Sequence, residues 1–209
     1  MTVKRSYSSA KRDAQARATR RSILDAARDL FVTTGYTATT IQAIAERAGV
    51  AVQTVYAVFG NKRELLRQLI ESTIAGADEP VEMTNRPEAQ AVAAEPDPRR
   101  RAELDAALAR SIMERVAPIL RVTAEAAASD PELAAMMHAV KMARREEMVT
   151  AAAMLAGADG LRTTQEEAEA TLYVLYSPHV ADMLIGDYGW SPERYEKWLS
   201  RMLLQSVIQ

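Results

Sequence analysis

The stretch from Thr40 to Phe59, TIQAIAERAGVAVQTVYAVF, constrains this chain more than any other. Ile41, Ile44, Ala45 and Ala48 recur at helical spacing and give a first short helix one apolar face. Gly49 stops that pattern, because glycine readily takes the left-handed conformation at a helix C-terminus. A second apolar set, Val52, Val55, Tyr56 and Phe59, resumes directly after it. Two short helices about a glycine-containing turn predict a helix-turn-helix, the unit whose second helix enters the DNA major groove.

The flanking residues extend this reading. Ile23, Ala26, Ala27, Leu30 and Phe31 line one face of an amphipathic helix over Arg20–Thr33, which Gly35 ends. Thr40 is the expected N-cap of the next helix, its hydroxyl accepting from an otherwise unpaired N–H. Helix N-termini also attract phosphate, so Thr39, Thr40 and Gln42 are expected at the DNA backbone, although capping alone accounts for Thr40 equally well. In the second helix of the motif, Val55 and Phe59 should face the core, with Gln53, Thr54 and either Val52 or Ala57 outward. Gln pairs with an adenine edge, and Thr reaches a base or a thymine methyl. Tyr56 suits a phosphate contact through its hydroxyl. Asn61 and Glu64 form an approximate capping box for a further helix that runs through Leu65, Leu66, Leu69, Ile70 and Ile74 to about Ala77. Lys62 lies at that helix's positive end, where a cation is misplaced unless an anion is near, and is expected to touch phosphate.

Charge distribution agrees with a polyanionic partner for this part alone. Residues 1–67 hold 12 Lys/Arg against 5 Asp/Glu, while the remaining chain holds 14 against 23. A basic first third therefore precedes an acidic body. Ala, Leu, Glu and Arg dominate the composition and no segment alternates as a strand would, so the fold class is all-α. The absence of cysteine excludes disulfides and thiolate metal sites and suits a reducing cytoplasm. No apolar run approaches a membrane span, and residues 1–22 are too polar for a signal peptide, so a soluble, cytoplasmic protein without a membrane partner is expected. His138 and His179 are single histidines without ligand spacing, so no metal is expected.

Residues 20–70 resemble the DNA-binding domain of the TetR (tetracycline repressor) family of bacterial regulators. The resemblance rests on ILDAARDLF and GYTATTIQAIAERAGVAVQTVYAVFGNKRELL, with the Gly-Val turn at 49–50, Thr54, Val55-Tyr56, Phe59, Lys62 and Leu65-Leu66 in family spacing. Two positions depart from it. Ala51 stands where the family often has Ser or Thr, so a helix cap is lost, and Val58 replaces a frequent histidine, which removes a polar contact.

The resemblance implies an N-terminal three-helix helix-turn-helix domain followed by a C-terminal helical ligand-binding and dimerisation domain. It further implies a ligand-responsive homodimeric repressor on a palindromic double-stranded operator, released by a small apolar or amphipathic effector, with no cofactor. The corresponding division is a flexible basic arm at 1–19, the DNA-binding domain at 20–67 with its recognition helix at about 51–59, a connecting helix end at 68–77, an acidic Pro-containing linker at 78–100, and an effector-binding and dimerisation domain at 101–209. In the arm, Lys4, Arg5, Lys11, Arg12 and Arg17 either follow phosphates and a minor groove or belong to a tail that touches nothing.

The linker holds four of the eight prolines, with a short helical piece near 87–94. Beyond it, helices are expected over 99–112, 112–128 with Pro118 inside, 131–156 behind the Asp130-Pro131 cap, 164–186 with a kink at Pro178, and 193–207. The resemblance implies an effector pocket among these helices, for which Met113, Val116, Leu120, Met136, Met137, Met142, Tyr173 and Tyr176 are candidates; methionine fills ordinary cores equally well. The last two helices carry wide apolar faces that could serve a partner as well as their own subunit. Leu175, Val180, Met183, Leu184, Tyr195, Trp198, Leu199 and Met202 are the expected dimer contacts.

Two other classes compete. An enzyme is the main rival, yet the sequence has no glycine-rich phosphate loop, no HExxH zinc motif and no nucleophile elbow, and nothing groups its scattered Asp, Glu and His residues at a spacing useful for acid–base catalysis. A helical interaction module explains the acidic body but leaves the basic motif without a purpose.

Overall fold

The computed structural model describes residues 3–76, 82–157 and 160–209, with side chains described from residue 12 onward. Every regular element among them is helical, and one isolated antiparallel bridge joins Leu161 to Ile208. The described residues fall into two compact units that divide within one helix, after Thr73.

The first unit begins with α1 (Val3–Thr34), followed by α2 (Ile41–Ala48), α3 (Val52–Phe59) and α4 (Lys62–Ala75). α1 starts at Val3 rather than near Arg20, so most of the stretch expected as a flexible arm is helical. The side chains of Lys4, Arg5 and Lys11 lie outside the described set. Ile23, Ala27, Phe31, Ile44, Val55, Phe59, Leu65 and Leu66 are all buried, which is the apolar set the helical periodicities mark.

The second unit is built from α5 (Pro87–Ala94), α6 (Pro98–Ala127), α7 (Pro131–Ala156), α8 (Gln165–Leu175), α9 (Pro178–Asp182) and α10 (Pro192–Ser206). A 3-10 turn at Met83–Asn85 precedes α5, and a π turn at Met183–Asp187 follows α9. Its core interleaves Ala102, Ala106, Ala109 and Met113 of α6 with Leu172 and Tyr176 near α8 and Tyr195, Leu199 and Leu203 of α10. Small alanines at helical spacing on α6 let the larger residues of its neighbours approach closely. Residues 82–100, expected as linker, are partly built into this body, since Ala89 and Val92 are buried and Val92 belongs to the core. Residues 78–81 of that expected linker lie outside the described ones.

Two helices differ from their sequence reading. Residues 98–127 form one helix, not two, because nothing near 112 supplies a stop and Pro118 is accommodated inside. In contrast, Pro178 breaks rather than kinks its helix. α8 ends at Leu175, and α9 restarts with Ser177 as N-cap and Pro178 in its first turn. Pro178 has no N–H to continue the ladder, whereas the first turn of a new helix needs none there.

Arginines close the loose ends of these helices. Arg101 is 1% exposed, and its guanidinium donates to the carbonyls of Glu95 (2.9 Å), Leu155 (3.1 Å) and Pro96 (3.2 Å). It thereby satisfies the C-terminal ends of α5 and α7, where helix dipoles favour a cation. Gly157 passes so close that a Cβ there would lie 2.1 Å from Arg101 Nη1. Arg144 serves the end of α8 in the same way, donating to the carbonyls of Tyr173 (2.9 Å) and Tyr176 (3.3 Å) while stacking 3.7 Å from the Tyr173 ring centre.

Candidate nucleic-acid interface

The turn between α2 and α3 is fixed by backbone chemistry. Gly49 adopts φ 69° and ψ 33°, a conformation costly for any residue with a Cβ. The Val50 N–H then reaches the Ala45 carbonyl at 3.0 Å and the Gly49 N–H reaches Glu46 at 3.2 Å. This paired arrangement is a Schellman closure, and it sets the angle at which α3 leaves. At the other end of α2, Thr40 Oγ1 accepts from the Ala43 N–H at 3.1 Å.

α3 itself buries Val55 and Phe59 and presents Gln53, Tyr56 and Ala57 outward at helical spacing, with Val58 36% exposed at the flank. Val52 and Thr54 are half-buried. Tyr56, at 51% exposure, is available for contact along its ring and hydroxyl. Ala51 occupies the N-cap position in an extended conformation and provides no side-chain cap. The Thr54 N–H turns back to the Ala51 carbonyl at 2.9 Å, and the first turn of α3 has no side-chain cap, which suits an anion.

Three expected contacts take different places. Thr39 is 3% exposed, and its hydroxyl donates to the carbonyls of Gly35 (2.7 Å) and Leu30 (3.2 Å). It ties the α1–α2 loop together and offers nothing to a ligand. Gln42 is exposed, but its amide donates to Glu46 at 3.1 Å on the same helix. Lys62 Nζ donates to the carbonyls of Tyr36 (2.9 Å), Thr39 (2.9 Å) and Thr37 (3.4 Å), so all three ammonium donors are engaged within the protein. Partial burial holds its pKa below the usual lysine value. The apparent misplacement of Lys62 at a helix N-terminus is thus resolved by carbonyls of a neighbouring loop, a relation 23 to 26 positions away that local pattern cannot reveal.

Asn61 Oδ1 accepts from the Glu64 N–H at 2.9 Å, but only half the capping box forms. Glu64 turns instead to Arg67 and Gln68, and these contacts hold its carboxyl down at about 2. Arg20 lies 5.0 Å from the Phe59 ring centre, and Arg47 pairs with Asp29 at 3.0 Å across the outer face of α1 and α2. The unit as a whole is basic, and its exposed reading stripe is nearly uncharged.

The family model for bacterial regulatory proteins of the tetR family matches residues 23–69, the span from the core of α1 to the end of the α4 core. Residues 23–69 are a TetR-family domain. No curated protein matches the chain in sequence. Solved structures extend the likeness over both units. A TetR-like transcriptional regulator from Rhodococcus sp. RHA1 is 21% identical with TM-score 0.60, covering 90% of this chain and 94% of that one. NalD, the secondary repressor of the MexAB-OprM multidrug efflux pump in Pseudomonas aeruginosa, is 21% identical with TM-score 0.63, covering 91% and 96%. The fatty acid degradation regulator FadR from Bacillus halodurans is 18% identical with TM-score 0.67, covering 89% and 94%. The TetR-family match over residues 23–69 supports a DNA-binding regulator, and the matched family and structures are regulators, not enzymes. Among the described residues no helix is long and apolar enough to cross a membrane.

In the second unit the expected pocket residues are dispersed. Met113 and Tyr176 belong to one buried cluster, and Tyr173 packs against it. Val116 and Leu120 are buried further along α6, outside that cluster. Met136 and Met137 are half-buried, and Met142 is 39% exposed on the outside of α7, so it lines no interior. The expected dimer residues divide similarly. Leu175, Tyr195 and Leu199 are committed to their own subunit's core, the last two with no exposure. Val180, Met183, Leu184, Trp198 and Met202 keep exposed surface, joined by Val174 at 59% and Tyr188 at 76%.

Two buried side chains that periodicity did not single out as a pair meet here, Tyr176 of the cluster and Asp105 of α6. Asp105 is 5% exposed, and its carboxylate accepts from the Tyr176 hydroxyl. Burial pushes the Asp105 carboxyl up to about 6, opposed only by that hydrogen bond, and holds the Tyr176 phenol well above its usual value. A buried acid in an alanine-rich helical pattern was the available signal.

Proposed function

We propose that the chain is a homodimeric repressor that reads a palindromic operator with two copies of α3 and leaves it when a small apolar or amphipathic effector enters the second unit. The observation that carries this reading is the exposed stripe Gln53–Tyr56–Ala57 on a helix whose N-terminus lacks a side-chain cap, within a net-basic unit. Gln53 is the base reader, Thr54 and Val52 flank it against thymine methyls, and Tyr56 reaches phosphate from the helix side. Thr40 and Gln42 approach the backbone near the start of α2. One short helix reads few bases, so two copies related by symmetry supply the specificity. Support for dimerisation comes from the apolar surface left at Val174, Val180, Met183, Leu184, Trp198 and Met202. The effector class is supported by the apolar interior around Met113, Tyr173 and Tyr176. Structural relatives include the repressor of a multidrug efflux pump and a regulator of fatty acid degradation.

Selection of bound duplexes from a random pool tests this reading. A palindrome is expected, with Gln53→Ala relaxing the preference at particular base pairs by about 1–3 kcal/mol where its contact is bidentate. Selection of a single asymmetric half-site would overturn the dimeric reading. Affinity independent of salt would overturn DNA binding itself.

A further inference from the structure

Asp105 is the one carboxylate among the described residues that is buried, and it meets the hydroxyl of Tyr176, a member of the apolar cluster that α6, α8 and α10 build. No Lys, Arg or His side chain among those residues reaches it, and its single partner is the Tyr176 hydroxyl. Arg101 is in the opposite position. That buried cation has three carbonyl partners and needs no counter-ion, whereas Asp105 offers about four acceptor positions and uses one. Buried charge is retained at a cost in stability, and a positive partner would offset it.

We propose that Asp105 is the counter-charge for a cationic effector, a monovalent organic cation with an apolar or aromatic body. This rests on the effector reading above and names the ligand class. Tyr176, Tyr195 and Trp198 lie in or against the same cluster, the last two rings 6.0 Å apart, and aromatic faces attract a desolvated cation. A cation arriving at Asp105 displaces the Tyr176 hydroxyl. Tyr176 is the C-cap of α8, immediately before the break at Ser177-Pro178, and its carbonyl also receives Arg144. Ligand binding is therefore linked to the one place where the α8–α9 path is interrupted. A neutral molecule of the same size has no such preference between the two arrangements and shifts nothing through this contact.

The test uses the full chain with tetraphenylphosphonium as probe and neutral triphenylphosphine oxide as its control, read by tryptophan fluorescence and thermal shift. The cation is expected to bind wild type at least tenfold more tightly than the control, and Asp105→Asn to remove that advantage while leaving the control unchanged. Tyr176→Phe removes the competing donor and, assayed at a pH well above the carboxyl's titration so that Asp105 is ionised, is expected to tighten the cation further. That gain decides the matter should Asp105→Asn fail to fold. Equal affinity for both probes, no binding of either, or a Tyr176→Phe protein that binds the cation no better would each overturn the proposal. A neutral compound that releases operator DNA would leave the effector reading standing while this inference falls. Absence of operator binding would remove the reading beneath it.

Discussion

Lys62 Nζ lies 2.9 Å from the Tyr36 carbonyl oxygen and 4.3 Å from the centre of the Tyr36 ring. With Thr37 and Thr39 as its other acceptors, the ammonium group gathers the carbonyls of the loop that delivers α2. Its charge therefore positions the helix-turn-helix from inside.

Lys62→Met keeps the length of the apolar stem and removes the donors. It is expected to destabilise the protein by about 1–3 kcal/mol, read from the midpoint of urea unfolding, because partly buried carbonyls lose their partner. DNA affinity should fall for all sequences alike, since α2 loses its anchor. The slope of log affinity against log salt should stay unchanged. A slope lower by about one would instead place the ammonium on a phosphate.

The turn and the start of α3 should respond in opposite directions to two small substitutions. Gly49→Ala forces a Cβ into a left-handed position at φ 69° and should cost about 1 kcal/mol. Ala51→Ser places a hydroxyl at an extended N-cap that has none, and should gain about 1 kcal/mol. Thermal unfolding of the two variants checks both signs. A destabilised Ala51→Ser protein would mean that the end of α3 is satisfied in some other way.

What the sequence made legible, and what it did not, follows from the range of the forces involved. Caps act over three or four residues, so Asp130-Pro131, Thr164 and Ser191-Pro192 marked their helix starts correctly. The recognition stripe was legible in part: Gln53 is exposed on α3 as expected, whereas Tyr56, which its spacing groups with the apolar set, is exposed too, and Thr54, expected outward, is half-buried. Amphipathic stripes say that a face is buried, yet not against which neighbour. That is why Leu175, Tyr195 and Leu199, read as partner contacts, belong to the subunit's own core. Polar pairs across the fold had no local signature. Tyr176 and Asp105 are 71 positions apart, and Arg101 reaches Leu155 across 54. Thr39 was misread for the same reason, because its acceptor at Leu30 lies on the preceding helix.

Asp105 makes stability depend on pH in a direction opposite to ordinary salt-bridged acids. Its folded pKa, about 6, exceeds the ordinary 3.8, so the folded chain holds a proton that the unfolded chain has released between those values. This contribution to stability is therefore greatest below about pH 4 and is lost as pH rises through 6. Two decades of pH at about 1.4 kcal/mol each put its ceiling near 3 kcal/mol. The side-chain amide of the Asp105→Asn variant still accepts from Tyr176 and carries no charge. Relative to wild type the variant should thus gain stability from pH 4 to 7, by up to about 3 kcal/mol, in parallel urea titrations. A constant difference across that range would mean that Asp105 titrates alike in both states.

Trp198 and Leu199 are neighbours in sequence but should fail differently when made acidic. Leu199 has no exposed surface and packs with Leu172 and Tyr195 in the subunit core. Leu199→Glu would place an unpaired carboxylate there, so unfolding or aggregation is expected, not a clean monomer. Trp198 is half-buried, with its ring edge-on to Trp190 at 6.1 Å, and part of it faces outward on α10. A single charge there can be solvated in the monomer but not across a closed apolar interface. Trp198→Glu, and Met183→Glu on the exposed turn after α9, should therefore yield folded monomers on size-exclusion chromatography, with helical circular dichroism retained. Because two reading heads act together, these monomers should also lose most of their affinity for a palindromic site while keeping nonspecific DNA binding. Folded dimers from both variants would place the interface on another face, with the exposed Met142 and Val149 of α7 the next apolar surface to test.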